Sequence, residues 1–117
     1  MKKFLVLYLA PASILEEWSK TDAQTRKTEE AKMRGQWGEW MKVHHSAIKE
    51  TAGAGSTKRV TKEGITDTKN DVMLFSIVEA ESHEAAAEIF QSHPHLGIPK
   101  SSIEVMPINH LPGTEGL

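Results

Sequence analysis

This sequence predicts an α+β fold of ferredoxin-like type, β-α-β-β-α-β, pairing into a dimeric α/β barrel. Three observations predict it. Residues 4–9 and 72–80 are the two most apolar runs, suited to the two central strands of such a sheet. Helix signals fall after the first run, for a short helix and then a longer one, and again after the second run, and the two main helices cover one face. Both apolar runs nevertheless show hydrophobic side chains on both faces, and a second copy of the chain is the simplest cover for the face left over. Cover by the hairpin and tail within a monomer is the alternative.

Each element follows in order. Leu5, Leu7 and Leu9 point one way from the first strand, and Phe4, Val6 and Tyr8 the other. Ser13-Ile14-Leu15-Glu16 has capping-box form and predicts the start of a short helix. Thr21-Asp22-Ala23-Gln24 repeats it before a longer helix, expected to run as far as Gly53. Met33, Trp37, Trp40, Met41, His44 and Ile48 form one stripe of that helix, its packing face. Gly35 and Gly38 weaken it and are read as sites where another backbone approaches closely. Residues 57–61 and 65–68 read as a polar strand and its weak partner about a Lys62-Glu63-Gly64 turn. The strong strand at 72–80 carries Met73, Phe75 and Ile77 on one face and Val72, Leu74 and Val78 on the other. Ser82 is placed to cap a helix through Phe90, Pro94 stops it, and residues 102–108 form the last strand.

With 117 residues the chain is one domain, taken as residues 1–109 with a tail at 110–117. Fourteen Lys and Arg against 16 Asp and Glu leave a net charge of -2, which removes the electrostatic case for a nucleic-acid binder. The absence of cysteine excludes disulfides, thiol nucleophiles and Cys-based metal sites. The N-terminal apolar run is too short for a signal peptide, and no stretch reaches the roughly 18 apolar residues of a membrane span. A cytoplasmic protein without a membrane partner is expected.

Several segments resemble one family. Ser92-His93-Pro94-His95-Leu96 followed by a Gly-containing loop and Ile103-Glu104-Val105-Met106-Pro107 is similar to the closing signature of the YCII-related (DGPF) proteins. Trp37-Gly38-Glu39-Trp40 and the segment from Ile77 to Ala86 resemble that family as well. The resemblance implies a ferredoxin-like fold, a homodimeric barrel and, in its better-defined members, a His–Asp pair in a cleft. The chain departs from the pattern in two places. Gly64-Ile65-Thr66-Asp67-Thr68-Lys69 stands where the family has Asp-Gly-Pro-Phe, and no His follows the first strand.

The candidates for chemistry are imidazoles and carboxylates. Pro94 disfavours a helical His93, and a fully extended His93-Pro94-His95 would project both rings to one side, roughly 7 Å apart. The competing reading has one ring capping the preceding helix and the other packed under Trp37 or Trp40. Of His44 and His45 only His44 lies on the packing stripe, as a ligand-facing or core residue. Asp67 and Asp71 could orient an imidazole, or could be ordinary loop residues. Trp37 and Trp40 could wall a flat ligand, or simply be core. Gly53-Ala54-Gly55-Ser56-Thr57-Lys58 matches no phosphate-loop pattern, and the basic residues 58, 59, 62 and 69 are interleaved with acids as on a solvated hairpin.

The reading that follows is a small-molecule enzyme or binding protein without cofactor or metal. His93 or His95 would act as the base, Asp67 or Asp71 would orient it, and His44, Trp37 and Trp40 would contact a small polar ligand. Its alternative is a non-catalytic dimeric interaction module.

Overall fold

Residues 1–113 are described by a computed structural model of the chain. The N-terminal apolar run forms β1 (Lys2–Leu9), and the second forms β5 (Val72–Ala80). They pair antiparallel from Lys2 opposite Ala80 to Leu9 opposite Val72, with a bulge between Tyr8 and Leu9. β2 (Ile48–Gly53) adds to the free edge of β5 and β6 (Ser102–Pro107) to that of β1, giving the order β2-β5-β1-β6. That is the antiparallel ferredoxin-like arrangement, with the two most apolar strands in the centre.

α1 (Ala12–Ser19), α2 (Ala23–His44) and α3 (His83–Ile89) complete the main elements. The core lies on the face of Phe4, Val6, Tyr8 and Val78, closed by Trp40 from α2 and by Ala86 and Phe90 from α3 and its end. On the opposite face Leu5 and Leu7 stand beside Ile77 and Phe75, each only half-buried. The alternation of sides along both strands matches the period-two reading of the sequence.

Four expectations need correction. α2 ends at His44 rather than Gly53, and Ile48 is the first residue of β2 instead of the last on the helix stripe. The edge of β5 offers unpaired main-chain groups, and residues 48–53 meet that demand although Ala, Lys and Glu favour helix. Consequently β3 (Thr57–Thr61) and β4 (Gly64–Thr68) form a separate two-stranded hairpin, and the second strand of the ferredoxin-like unit is β2. The short helix α1 starts at Ala12 behind Pro11, with Ser13 inside it and no side-chain cap, because proline presets the first-turn geometry. α2 is capped by Asp22, whose carboxylate accepts from the Thr25 N–H at 3.0 Å, rather than by Thr21. Ser82 does cap α3, accepting from the Ala85 N–H at 3.1 Å. The last four residues of the expected tail lie outside the described residues.

A buried polar chain ties three strands together. The Tyr8 and Ser76 hydroxyls are 2.7 Å apart, and the Ser76 and Thr51 hydroxyls are also 2.7 Å apart. Ser76 is fully buried at the middle of β5, so its hydroxyl must be satisfied there. Ser76→Ala removes that link and leaves the buried Tyr8 hydroxyl without this partner. The expected cost is about 1–3 kcal/mol in denaturant unfolding. The Tyr8→Phe/Ser76→Ala double variant should lose less than the sum of the two single losses.

Candidate functional site

The C-cap of α3 is Phe90, and the chain then turns over the end of β1. His93 is extended, as a residue before proline should be, with φ -67° and ψ 135°. Pro94 opens a 3₁₀ turn, Pro94–Gly97, so the His-Pro-His tripeptide is not extended throughout and its rings do not project in parallel. The His93 Nδ1 instead accepts from the His95 N–H at 2.9 Å, capping the turn that follows it. Both imidazoles are buried, His93 at 2% exposure and His95 at 1%.

His95 serves β1. Its Nε2–H donates to the Leu9 carbonyl at 2.9 Å, beside the bulge where the pairing of β1 shifts. The N–H of the same peptide, on Ala10, donates to the Asp71 carbonyl at 2.9 Å. In a trans peptide C=O and N–H point in opposite directions. His95 and Asp71 therefore sit on opposite flanks of β1, and one peptide unit is held from both sides.

His93 is enclosed by aromatic rings. Trp37 lies nearly perpendicular to it at 4.3 Å between centroids, Trp40 at 4.4 Å, Tyr8 at 5.2 Å and Phe90 at 6.0 Å. Because Nδ1 accepts, the proton of the neutral ring sits on Nε2, and no acceptor for that proton exists among the described residues. Burial is the main cause that lowers the His93 pKa to about 4, with His95 and His44 adding to it. Burial also lowers that of His95, partly offset by bonding to the main chain at Leu9 and Ser102. Both rings are neutral at pH 7. Tyr8 is pushed up by burial, against a smaller opposite effect of the Ser76 hydrogen bond.

His44 is half-buried, its ring 4.6 Å from that of Trp40, while His45 is exposed and bonded to the Lys42 carbonyl. Trp40 belongs to the core and Trp37 packs against it. A cleft of about 880 Å³ opens between the second half of α2 and the 3₁₀ turn, lined among others by Gly35, Trp40, His44, Ser92 and Pro94. Gly35 and Gly38 do not mark a close backbone approach. A Cβ at either position would find nothing within 4 Å.

The two aspartates lie elsewhere. Asp67 is on β4, its carboxylate 2.6 Å from the Lys58 ammonium, facing a second cleft of about 890 Å³ between α1 and the hairpin. Asp71 is exposed and takes part through its main chain. Sequence reasoning missed Tyr8, Ser76 and Phe90 as surroundings of the imidazoles. A lone tyrosine in an aliphatic run and a serine inside the most apolar strand were the available signals, since each must find a polar partner when buried. Among the described residues no three His, Asp or Glu side chains are grouped to hold a metal ion, and no helix is long and apolar enough to cross a membrane.

The chain is thus an α+β protein of ferredoxin-like topology with two imidazoles buried at the end of its first strand. No protein-family profile matches it, and no curated protein sequence matches it. Among solved structures it resembles 5-chloro-2-hydroxyhydroquinone dehydrochlorinase (TftG) from Burkholderia phenoliruptrix AC1100, in complex with 2,5-dihydroxybenzoquinone, with a TM-score of 0.52. The two share 16% identity over 95% of this chain and 96% of that one, a likeness in fold.

The lowered His93 pKa makes stability depend on pH. Between pH 6.5 and 4 the unfolded chain binds a proton that the folded chain refuses, so stability rises with pH there. The contribution is complete above 6.5, is lost as pH falls towards 4, and amounts to about 3 kcal/mol at 1.36 kcal/mol per unit. Urea unfolding of the wild type and of His93→Asn across that window should show the loss in the former and a flatter profile in the latter.

Proposed function

We propose that the chain is a small-molecule enzyme or binding protein whose ligand enters the cleft between α2 and the 3₁₀ turn. The observation that supports this best is His93, a neutral imidazole behind the cleft wall whose Nε2–H has no acceptor among the described residues. Its Nδ1 is taken up by the turn, so in this tautomer the ring suits donation to a substrate oxygen better than abstraction of a proton. A neutral N–H donor in a dry site stabilises charge developing on oxygen without having to be reorganised. His44, half-buried, is the imidazole that lines the cleft itself. Trp40 supplies a ring wall beside it. His95 holds β1 and positions His93 through the turn, and Asp67 and Asp71 have no part in this reading. The neighbouring fold being that of a dehydrochlorinase complexed with a dihydroxybenzoquinone is in keeping with a small polar ligand.

A screen by thermal shift over small phenols, hydroxy acids and quinones should raise the melting temperature by several degrees for one class, and His44→Ala should weaken that response. A flat screen with a fully stable protein would favour the second reading, a non-catalytic dimeric module. That reading draws on the ring-filled surroundings of His93.

The chain is further proposed to pair with a second copy, sheet to sheet, as the YCII-related resemblance implies. The half-buried Leu5, Leu7, Phe75 and Ile77 line the face that the core does not use. The chain is a slab of 51 × 45 × 21 Å with a radius of gyration of 16.5 Å. A closed globule of this length would have about 13 Å. Light scattering should give twice the 13.0 kDa chain mass. Leu7→Glu should shift it to the monomer, whereas a wild-type monomer at micromolar concentration would end the pairing proposal.

A further inference from the structure

Among the described residues three buried side-chain polar atoms have no partner, and two of them, Trp40 Nε1 and His93 Nε2, belong to rings in contact. Their rings lie 4.4 Å apart, Trp40 is 6% exposed and lines the cleft, and His93 sits between the cleft-lining residues Ser92 and Pro94. Both atoms are donors. An indole nitrogen can only donate, and the His93 Nε2 carries the proton because Nδ1 is occupied. Buried donors of this kind are nearly always satisfied in folded proteins, so two of them unpaired on touching rings point to an acceptor from outside the chain.

The surroundings favour a charged acceptor. Lys32 at the rim has no carboxylate partner among the described residues, whereas the cleft's acid, Glu39, is bonded to Lys42 at 3.2 Å. Gly35 on the same wall leaves open space where any other residue would place a side chain, at a cost in helix propensity that no packing within the chain explains. His44, its ring 4.6 Å from that of Trp40, lines the same cleft. Hydrogen bonds to an anionic oxygen are shorter and stronger than those to a neutral one, most of all where water is excluded.

We propose that Trp40 Nε1–H and His93 Nε2–H together receive one anionic oxygen, the phenolate, enolate or carboxylate of a small flat ligand, with Lys32 drawing it in. This rests on the reading of the cleft as a ligand site and names the class of ligand it takes. The perpendicular packing of His93 and Trp37 offers the rival explanation, an N–H to ring contact that needs no ligand.

The indole N–H signals of Trp18, Trp37 and Trp40 in ¹⁵N-labelled protein, assigned by single Trp→Phe variants, provide the test. The probes are 4-nitrophenolate, benzoate and acetate, with 4-nitroanisole as the uncharged match for the first. The Trp40 signal should move downfield with the anions and stay in place with the ether. Trp40→Phe should weaken 4-nitrophenolate binding tenfold or more, in line with the loss of about one hydrogen bond to a charged group. Lys32→Met lies on the exposed rim and leaves the core intact. It should cost about two- to fivefold, with the difference disappearing near 1 M salt. Equal movement with the ether, or no movement with any anion at millimolar concentration, overturns the assignment. If the thermal-shift screen finds a ligand while the anions leave Trp40 unmoved, this inference falls and the ligand-site reading stands. If the screen is also flat, both fall.

Discussion

One peptide unit, Leu9–Ala10, organises the end of the molecule where the candidate site lies. Its carbonyl accepts from His95 on one flank and its N–H donates to the Asp71 carbonyl on the other. β1 has just passed a bulge there, so its ladder to β5 no longer supplies regular partners. Without the imidazole a partly buried carbonyl at the end of a central strand would lose its hydrogen bond. That loss costs more than the bond itself contributes. Holding His95 in place fixes the 3₁₀ turn, and the turn in turn fixes His93 by the bond from the His95 N–H to Nδ1. The chemical character of His93 therefore follows from a structural task performed two residues away.

Electrostatics and packing act in the same direction at that point. Four aromatic rings exclude water from His93, and exclusion of water disfavours its charged form. A neutral ring can stay unpaired as a donor where an imidazolium could not. The price is a loss of stability on acidification, borne by a domain whose second sheet face is only half-covered.

Much of the fold was legible in the sequence because it rests on period-two and capping patterns. The sides of β1 and β5, the Ser82 cap, and the choice of His44 over His45 as the inward ring all follow from side-chain direction alone. β2 was not legible. Residues 48–53 carry helix-forming Lys, Glu and Ala, and only the open edge of β5, distant in sequence, makes them a strand. The candidate site was legible in its parts and not in its assembly. His93 and His95 were marked by Pro94, and the two tryptophans by their spacing. The pairing of Asp67 with Lys58, the separation of Asp71 from His95 by the width of β1, and the cover of Tyr8 and Phe90 over His93 depend on tertiary contacts that no local pattern encodes.

The central claim is that the 3₁₀ turn locks His93 as a neutral ring with its proton on Nε2. Long-range ¹H–¹⁵N correlation of the histidine ring nitrogens at pH 7 tests it most directly. A His93 pattern with protonated Nε2 and bare Nδ1, unchanged from pH 8 down to 5.5, is the expected result. A His93 that carries its proton on Nδ1, or titrates near 6.5 like an exposed imidazole, would contradict it.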